Sequence, residues 1–277
     1  MQATNLAEQK ELRSFRRGRV SARSEIRRQL LFRTNYEKLL FSRLATLFRI
    51  HINTIAQNFE EGGFFDISVS ARELYQTMSP LMLSFLRRVL INTYRYNEEE
   101  YSGGRKAEEA FVFGRHVDID ELVNSYYRGR ELVLSGIPAN ISKKIDQIIM
   151  NGRGESLTLA TISSNIRKYV IPLSRSRAAL IARTETHGAA SFANHSYHDQ
   201  VRTNLGMNMY KEWVATGDNR TRSTHAEVNG DRKHMDDKFL VGGKLMAHSG
   251  DPAGGPKNVI NCRCVIIYVD ERDIVLP

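Results

Sequence analysis

The feature that most constrains this fold is a long series of apolar residues at helical spacing between Gln29 and Phe59: Leu30, Leu31, Tyr36, Leu39, Leu40, Leu44, Leu47, Phe48 and Ile55. Recurrence every three or four residues lays one apolar stripe along a helix, and a stripe of that length has to be covered by other elements. The segment "EEGGFFD" then breaks the pattern, with Gly62 and Gly63 as the natural stop. A second helix is expected from Ala71 to about Tyr96, carrying Leu74, Leu81, Phe85, Val89 and Ile91, with Pro80 interrupting it or marking a new start. Shorter helical segments are expected around 106–114 and 118–134, the latter opening with Asp118 and Asp120 as first-turn acids. The chain to about residue 135 therefore reads as all-helical, its apolar stripes serving as core.

At "SGIPANISKK" the character changes. Ile141–Met150 reads as helix, "NGRGES" as a turn, and Leu157–Val170 as a helix ended by Pro172. The following "SRSRAALIARTETHGAASFANHSYHDQVRTNLG" reads as one long amphipathic helix closed at Gly206. From 207 onward the composition favours short strands, "MYKEWVAT" and "CVIIYVD", separated by the loop "GGKLMAHSGDPAGGPKN". The fold class expected is α+β: a mainly helical N-terminal half, then a small C-terminal α+β domain of long helices and short antiparallel strands. The expected organisation is a basic arm over 1–35, a helical domain over 36–135 and a C-terminal domain over 136–277. No internal repeat occurs.

The 277 residues carry a net charge of +9, and its placement matters more than its size. Residues 1–34 hold nine cations (Lys10, Arg13, Arg16, Arg17, Arg19, Arg23, Arg27, Arg28, Arg33) against three acids (Glu8, Glu11, Glu25), a surplus of six. Such a block binds polyanions by releasing condensed counterions. Aromatic residues scarcely interleave with these arginines, so the expected contact is to phosphates rather than to bases. Arg13, Arg16, Arg17, Arg19, Arg23, Arg27 and Arg28 are the candidate DNA-contacting residues; a solvated arm that aids solubility is the plainer alternative. No run approaches the roughly 18 apolar residues of a membrane span, and the N-terminus lacks a signal-peptide core. Two cysteines two positions apart cannot bridge without strain, so synthesis in a reducing cytosol is expected.

Two stretches carry potential chemistry. "DNRTRSTH" gathers Asp218, Arg220, Arg222 and His225, an acid suited to capping, two forked cations and an imidazole. "NVINCRCVIIYVD" places Cys262 and Cys264 at a strand start, where the two-residue repeat directs both thiols to one face. The plain expectation is a hydrogen-bonded frame with two buried thiols packing as small apolar groups. A Cys/His zinc shell with His225, and with His234 or His248, is the alternative. An enzyme alternative is a metal-dependent nuclease or hydrolase using Asp218, His225 and His248 or Asp251, with Arg220 or Arg222 clamping a phosphate. The helix also carries His187, His195 and His198, but no His-Glu-x-x-His, Walker, Gly-x-Gly-x-x-Gly or Gly-x-Ser-x-Gly pattern occurs.

Taken in order, "RAALIARTETHGAASFANHSYHDQ", "KEWVATGDNRTRSTHAEVNG", "FLVGG" with "GDP", and "NVINCRCVIIYVD" resemble the phage Mu F-like family of minor head (head morphogenesis) proteins, over about residues 136–270. Arg183, Glu185, Trp213, Asp218, Arg220, Arg222, His225, Gly230, Asn261, Cys262, Arg263 and Cys264 fall at the family's motif positions. The resemblance implies a virion protein inside a tailed-phage head near the portal vertex, made in the bacterial host cytoplasm. Its implied partners are portal protein, the major capsid or scaffolding protein, and double-stranded DNA bound nonspecifically; no membrane is implied. It implies no catalytic residues and no cofactor. Arg222 and His225 stand where many relatives carry cysteines, leaving His225, Cys262 and Cys264, one ligand short of a closed zinc shell. Within this frame Glu185 is expected to pair with Arg220 or Arg263, Trp213 to anchor the core, and Gly230 to permit a tight turn.

Overall fold

A computed structural model describes residues 22–101, 111–112 and 115–271. The elements are α1 (Ala22–Gly62), α2 (Ile67–Tyr101), β1 (Phe111–Val112), β2 (Arg115–His116), α3 (Ile119–Arg128), α4 (Glu131–Gly154), α5 (Leu159–Leu205), β3 (Met209–Val214), α6 (Ser223–Glu227), β4 (Arg232–His234), β5 (Phe239–Val241), β6 (Lys244–Met246), α7 (Gly255–Val259) and β7 (Val265–Asp270). The α+β class holds: long helices come first and short antiparallel strands follow. Among the described residues no helix is long and apolar enough to cross a membrane.

The chain divides into two compact units, each discontinuous in sequence: one of residues 1–34, 86–126 and 184–277, the other of 35–85 and 127–183. The second unit is helical throughout. Its core follows from spacing: Leu40, Leu44, Phe48, Ile52 and Phe59 on α1, Ile141, Ile145 and Ile149 on α4, and Ile162, Ile166 and Val170 on α5 are all buried at near four-residue intervals. Leu31, counted in the α1 stripe by periodicity, is instead exposed. α1 stops where expected, with Gly63 at φ +64° and its N–H on the Phe59 carbonyl. Small polar groups fasten the stripes: the Ser163 hydroxyl donates to the Ala56 carbonyl (2.5 Å), and the Ser70 and Ser142 hydroxyls meet at 2.8 Å.

Three prolines do not act as helix ends. Pro80 lies inside α2, Pro138 inside α4 and Pro172 inside α5, so the expected stops at Pro172 and before Ile141 are corrected to continuous helices. An interior proline costs about 3 kcal/mol through its missing N–H and its clash with the preceding turn. Here buried residues flank each one: Met78 and Met82, Ile137 and Ile141, Val170 and Ser174. Burying several such side chains, at roughly 1.5–3 kcal/mol each, outweighs one lost hydrogen bond. The helix expected over 106–114 is also corrected at its end, because Phe111–Val112 pairs with Arg115–His116 as a two-stranded ribbon; residues 102–110 lie outside the described part.

The first unit holds the sheet. β3 is central, antiparallel to β4 (Tyr210 opposite His234) and to β7 (Met209 opposite Asp270 through Val214 opposite Val265). Alternation sends Met209, Lys211 and Trp213 inward. Trp213, fully buried, centres a core with Val228, Phe239, Val241, Met246, Val259 and Ile266, as its place in the sequence implied. Gly230, at φ +84°, lets the chain turn from α6 into β4, its N–H on the Trp213 carbonyl. The stretch 242–258, read as loop, contains β6, a 3-10 turn and α7; these elements are three to five residues long, too short for a periodic signal.

Candidate functional site

The site is built by one short helix, one loop and one strand start. Arg222 precedes α6 and its guanidinium donates to the Ile260 carbonyl (2.5 Å), fixing α6 against the Cys-x-Cys loop. His225 lies on α6 and is 1% exposed. Asn261 takes φ +59°, a left-handed conformation that asparagine tolerates better than most residues, and its N–H reaches the Thr184 hydroxyl of α5 at 3.3 Å. That kink carries Cys262 and Cys264 inward just before β7. The result is one buried cluster: the His225, Cys262 and Cys264 ligand atoms lie within 4.8 Å of one another. His225 Nδ1 is 3.4 Å from Cys264 Sγ and 3.7 Å from Cys262 Sγ.

The thiols do not ionise alike. The hydrogen bond from Cys264 pushes Cys262 well down; its sharing with Cys262, reinforced by burial, pushes Cys264 up. Cys262 also faces His187, which projects from α5 and is 1% exposed. Burial holds the His187 imidazole below its ordinary range, with the charge of Arg33 adding to the effect, so the ring is neutral at pH 7. Neither His187 ring nitrogen makes a hydrogen bond of ordinary geometry among the described residues, and the same is true of His225 Nε2.

Around this centre the remaining motif residues form a frame. Arg263 grips Asp218 with both guanidinium nitrogens (2.5 and 2.6 Å), and the Arg220 N–H and the Thr221 hydroxyl add to the same carboxylate. Arg263, followed by those weaker donors, holds the Asp218 carboxyl well below the usual range. The partner that the structure gives to Arg263 and, at 3.7 Å, to the Arg220 side chain is therefore Asp218; Glu185 is buried on α5, and Arg183, half-buried, belongs to the other unit. Asp251 accepts from the Ala247 and Ala253 N–H groups, and His234 meets Asn208 and Asp236. Asp218, His234, His248 and Asp251 all stand outside the His225–Cys262–Cys264 group. A hard-metal catalytic centre of the nuclease type would need such carboxylates, and both are already engaged in capping or pairing.

Sequence reasoning missed three contributors. Arg33 is 4% exposed and donates to the Cys264 carbonyl (3.3 Å), the Gln29 side chain (3.0 Å) and the Ser191 hydroxyl (3.2 Å). Gln29 donates to the Ile266 carbonyl at 3.3 Å. Lys211, at an inward strand position, caps the Met235 carbonyl at 2.9 Å, and burial brings its ammonium down to about 8. An inward lysine on an alternating strand was a readable signal; nothing local marked Arg33. Of the arginines assigned to DNA, Arg27 is exposed and Arg28 lies over the Tyr96 ring at 4.8 Å. Arg23 is on α1, and Arg13, Arg16, Arg17 and Arg19 lie outside the described residues.

Residues 139–267 match the family of phage Mu protein F like proteins. The chain is 31% identical over 162 residues, 56% of its length, to an NAD(+)–arginine ADP-ribosyltransferase of Enterococcus faecalis. It is also 31% identical over 210 residues, 72% of its length, to a minor head protein of Bacillus phage SPP1. It spans 31% of the transferase and 65% of the minor head protein. No solved structure matches.

Proposed function

We propose that this chain is a non-enzymatic minor head protein of a tailed phage, resident inside the capsid near the portal vertex and acting in head morphogenesis. The observation that carries the reading is the 31% identity extending over 72% of the chain to a phage minor head protein, well past the family-matched region into the helical half. The framing of Asp218 by Arg263 and the burial of Trp213, His225, Cys262 and Cys264 support a scaffold rather than a reaction centre. Portal and capsid or scaffolding protein are the proposed protein partners, and packaged double-stranded DNA the nonspecific one, through Arg13 to Arg28.

Quantitative mass spectrometry of purified particles tests the location: a few copies per head, retained after external protease treatment, are expected. Absence from particles would refute the reading. Fluorescence titration with short duplexes tests the arm. If all seven arginines engage phosphates, log K should fall against log salt with a slope near −6, and deletion of residues 1–21 should remove more than half of that slope. An unchanged slope after deletion means the arm does not carry DNA contact.

A further inference from the structure

We propose that His225, Cys262 and Cys264 form a structural site for a zinc-type divalent cation, with His187 of α5, which faces Cys262 from outside that 4.8 Å group, drawn in as the fourth ligand. The first argument is metric. In a tetrahedral shell with Zn–S about 2.3 Å and Zn–N about 2.0 Å, a ligating nitrogen and sulfur stand about 3.5 Å apart. His225 Nδ1 stands 3.4 and 3.7 Å from the two sulfurs. One imidazole nitrogen between two thiols makes a poor hydrogen-bond arrangement, since a single proton or lone pair cannot serve both. It is the right arrangement for a ligand atom.

The second argument is independent of those distances. His187 is buried, turned to Cys262, and without a conventional hydrogen bond at either ring nitrogen among the described residues. Cys262 is the sulfur that the ring faces. Gly250 leaves room for the ring: a Cβ there, at φ +78°, would lie 3.0 Å from His187 Cδ2 and 3.2 Å from its Nε2.

The donor set selects the ion. Two thiolates and two imidazoles suit zinc and exclude magnesium or calcium, which take oxygen. Binding joins M²⁺ to two thiolates and two imidazoles in a neutral complex, and each sulfur still protonated beforehand releases its proton to solvent. No charge is then left buried unpaired. The setting also calls for such a tie: α6 has five residues and β4, β5 and β6 three each. Elements that short bury little apolar surface individually, and a metal joining α6, the cysteine loop and α5 would hold them in one register.

The test uses the full-length chain, expressed with zinc and purified without chelator. Elemental analysis should give one zinc per chain, and stripping followed by Co²⁺ addition should produce a thiolate-to-cobalt charge-transfer band with the intense visible bands of tetrahedral cobalt. Titrating Zn²⁺ into the stripped protein in weak buffer should release protons, up to two per zinc. A wild-type chain that folds with both thiols free and gives no charge-transfer band overturns the site. Because His225→Ala or Cys264→Ala may fail to fold, the ligand assignment rests on His187→Ala and His187→Asn. Both should lose more than about 100-fold in Zn²⁺ affinity, above the 10–100-fold usual for outer partners, with weaker visible cobalt bands. Wild-type cobalt spectra in both variants would overturn the role of His187.

Discussion

At the scale of single residues, charge is placed where its partners are prearranged. Asp218 is held ionised by a bidentate arginine, so its contribution exists above the unfolded carboxyl pKa near 3.8 and is lost as pH falls through its lower folded value. Asp218→Asn should therefore show a lower Tm than wild type by the same margin from pH 5 to 8, with the two curves converging only in strong acid; thermal melts across that range decide it. His195 has the opposite chemistry. Burial first, then the nearby His248, brings its imidazole down to about 2, so it stays neutral in the fold and takes up a proton on unfolding below pH 6.5. Stability should fall on acidification from there by up to about 1.4 kcal/mol per pH unit from this one group. His195→Asn should flatten urea-midpoint profiles between pH 6.5 and 5; an identical slope in the variant would show that another group is responsible.

At the scale of elements, local rules hold until packing overrides them. α1 ends at its glycine pair as the pattern says, yet α5 runs through Pro172, which is exposed while Val170 and Ser174 beside it are buried. The helix there is imposed by its neighbours against the preference of one residue. Pro172→Ala should restore the backbone donor and stabilise the chain by about 1–3 kcal/mol, less what proline's stiffening of the unfolded chain had contributed. A fall in denaturation midpoint would mean that the proline bend itself is needed. Gly250 gives the reverse case: alanine there combines a left-handed φ with contacts at 3.0 and 3.2 Å against His187 and Gly188, so a loss of about 1–3 kcal/mol is expected. Gly206→Ala, at φ +60° but with open space around it, should cost only about 1–2 kcal/mol.

At the scale of the whole molecule, the compact units do not follow chain order. Gln29 and Arg33, deep in the basic N-terminal block, bond the carbonyls of Ile266 and Cys264 more than 200 residues away. Arg33→Met should keep the packed volume but strand those acceptors, costing about 2–4 kcal/mol. A fragment of residues 136–277 should likewise unfold at lower denaturant than the same strands in the full chain, as hydrogen exchange at β3 and β7 would report. What the sequence determined by itself was whatever is local or repeated. Periodicity made the helical half legible, β-rich composition between turn residues gave β3 and β7, and the order of Asp-x-Arg-Thr-Arg and Asn-Cys-Arg-Cys pointed to the family. Those signals need only neighbours within a few positions, which physics couples through backbone geometry. Only the tertiary structure decided that Arg263 closes on Asp218, that Arg33 is a buried brace rather than a phosphate contact, and that His187 comes to stand beside Cys262. Such pairings depend on which distant surfaces exclude water together, and no local pattern records that.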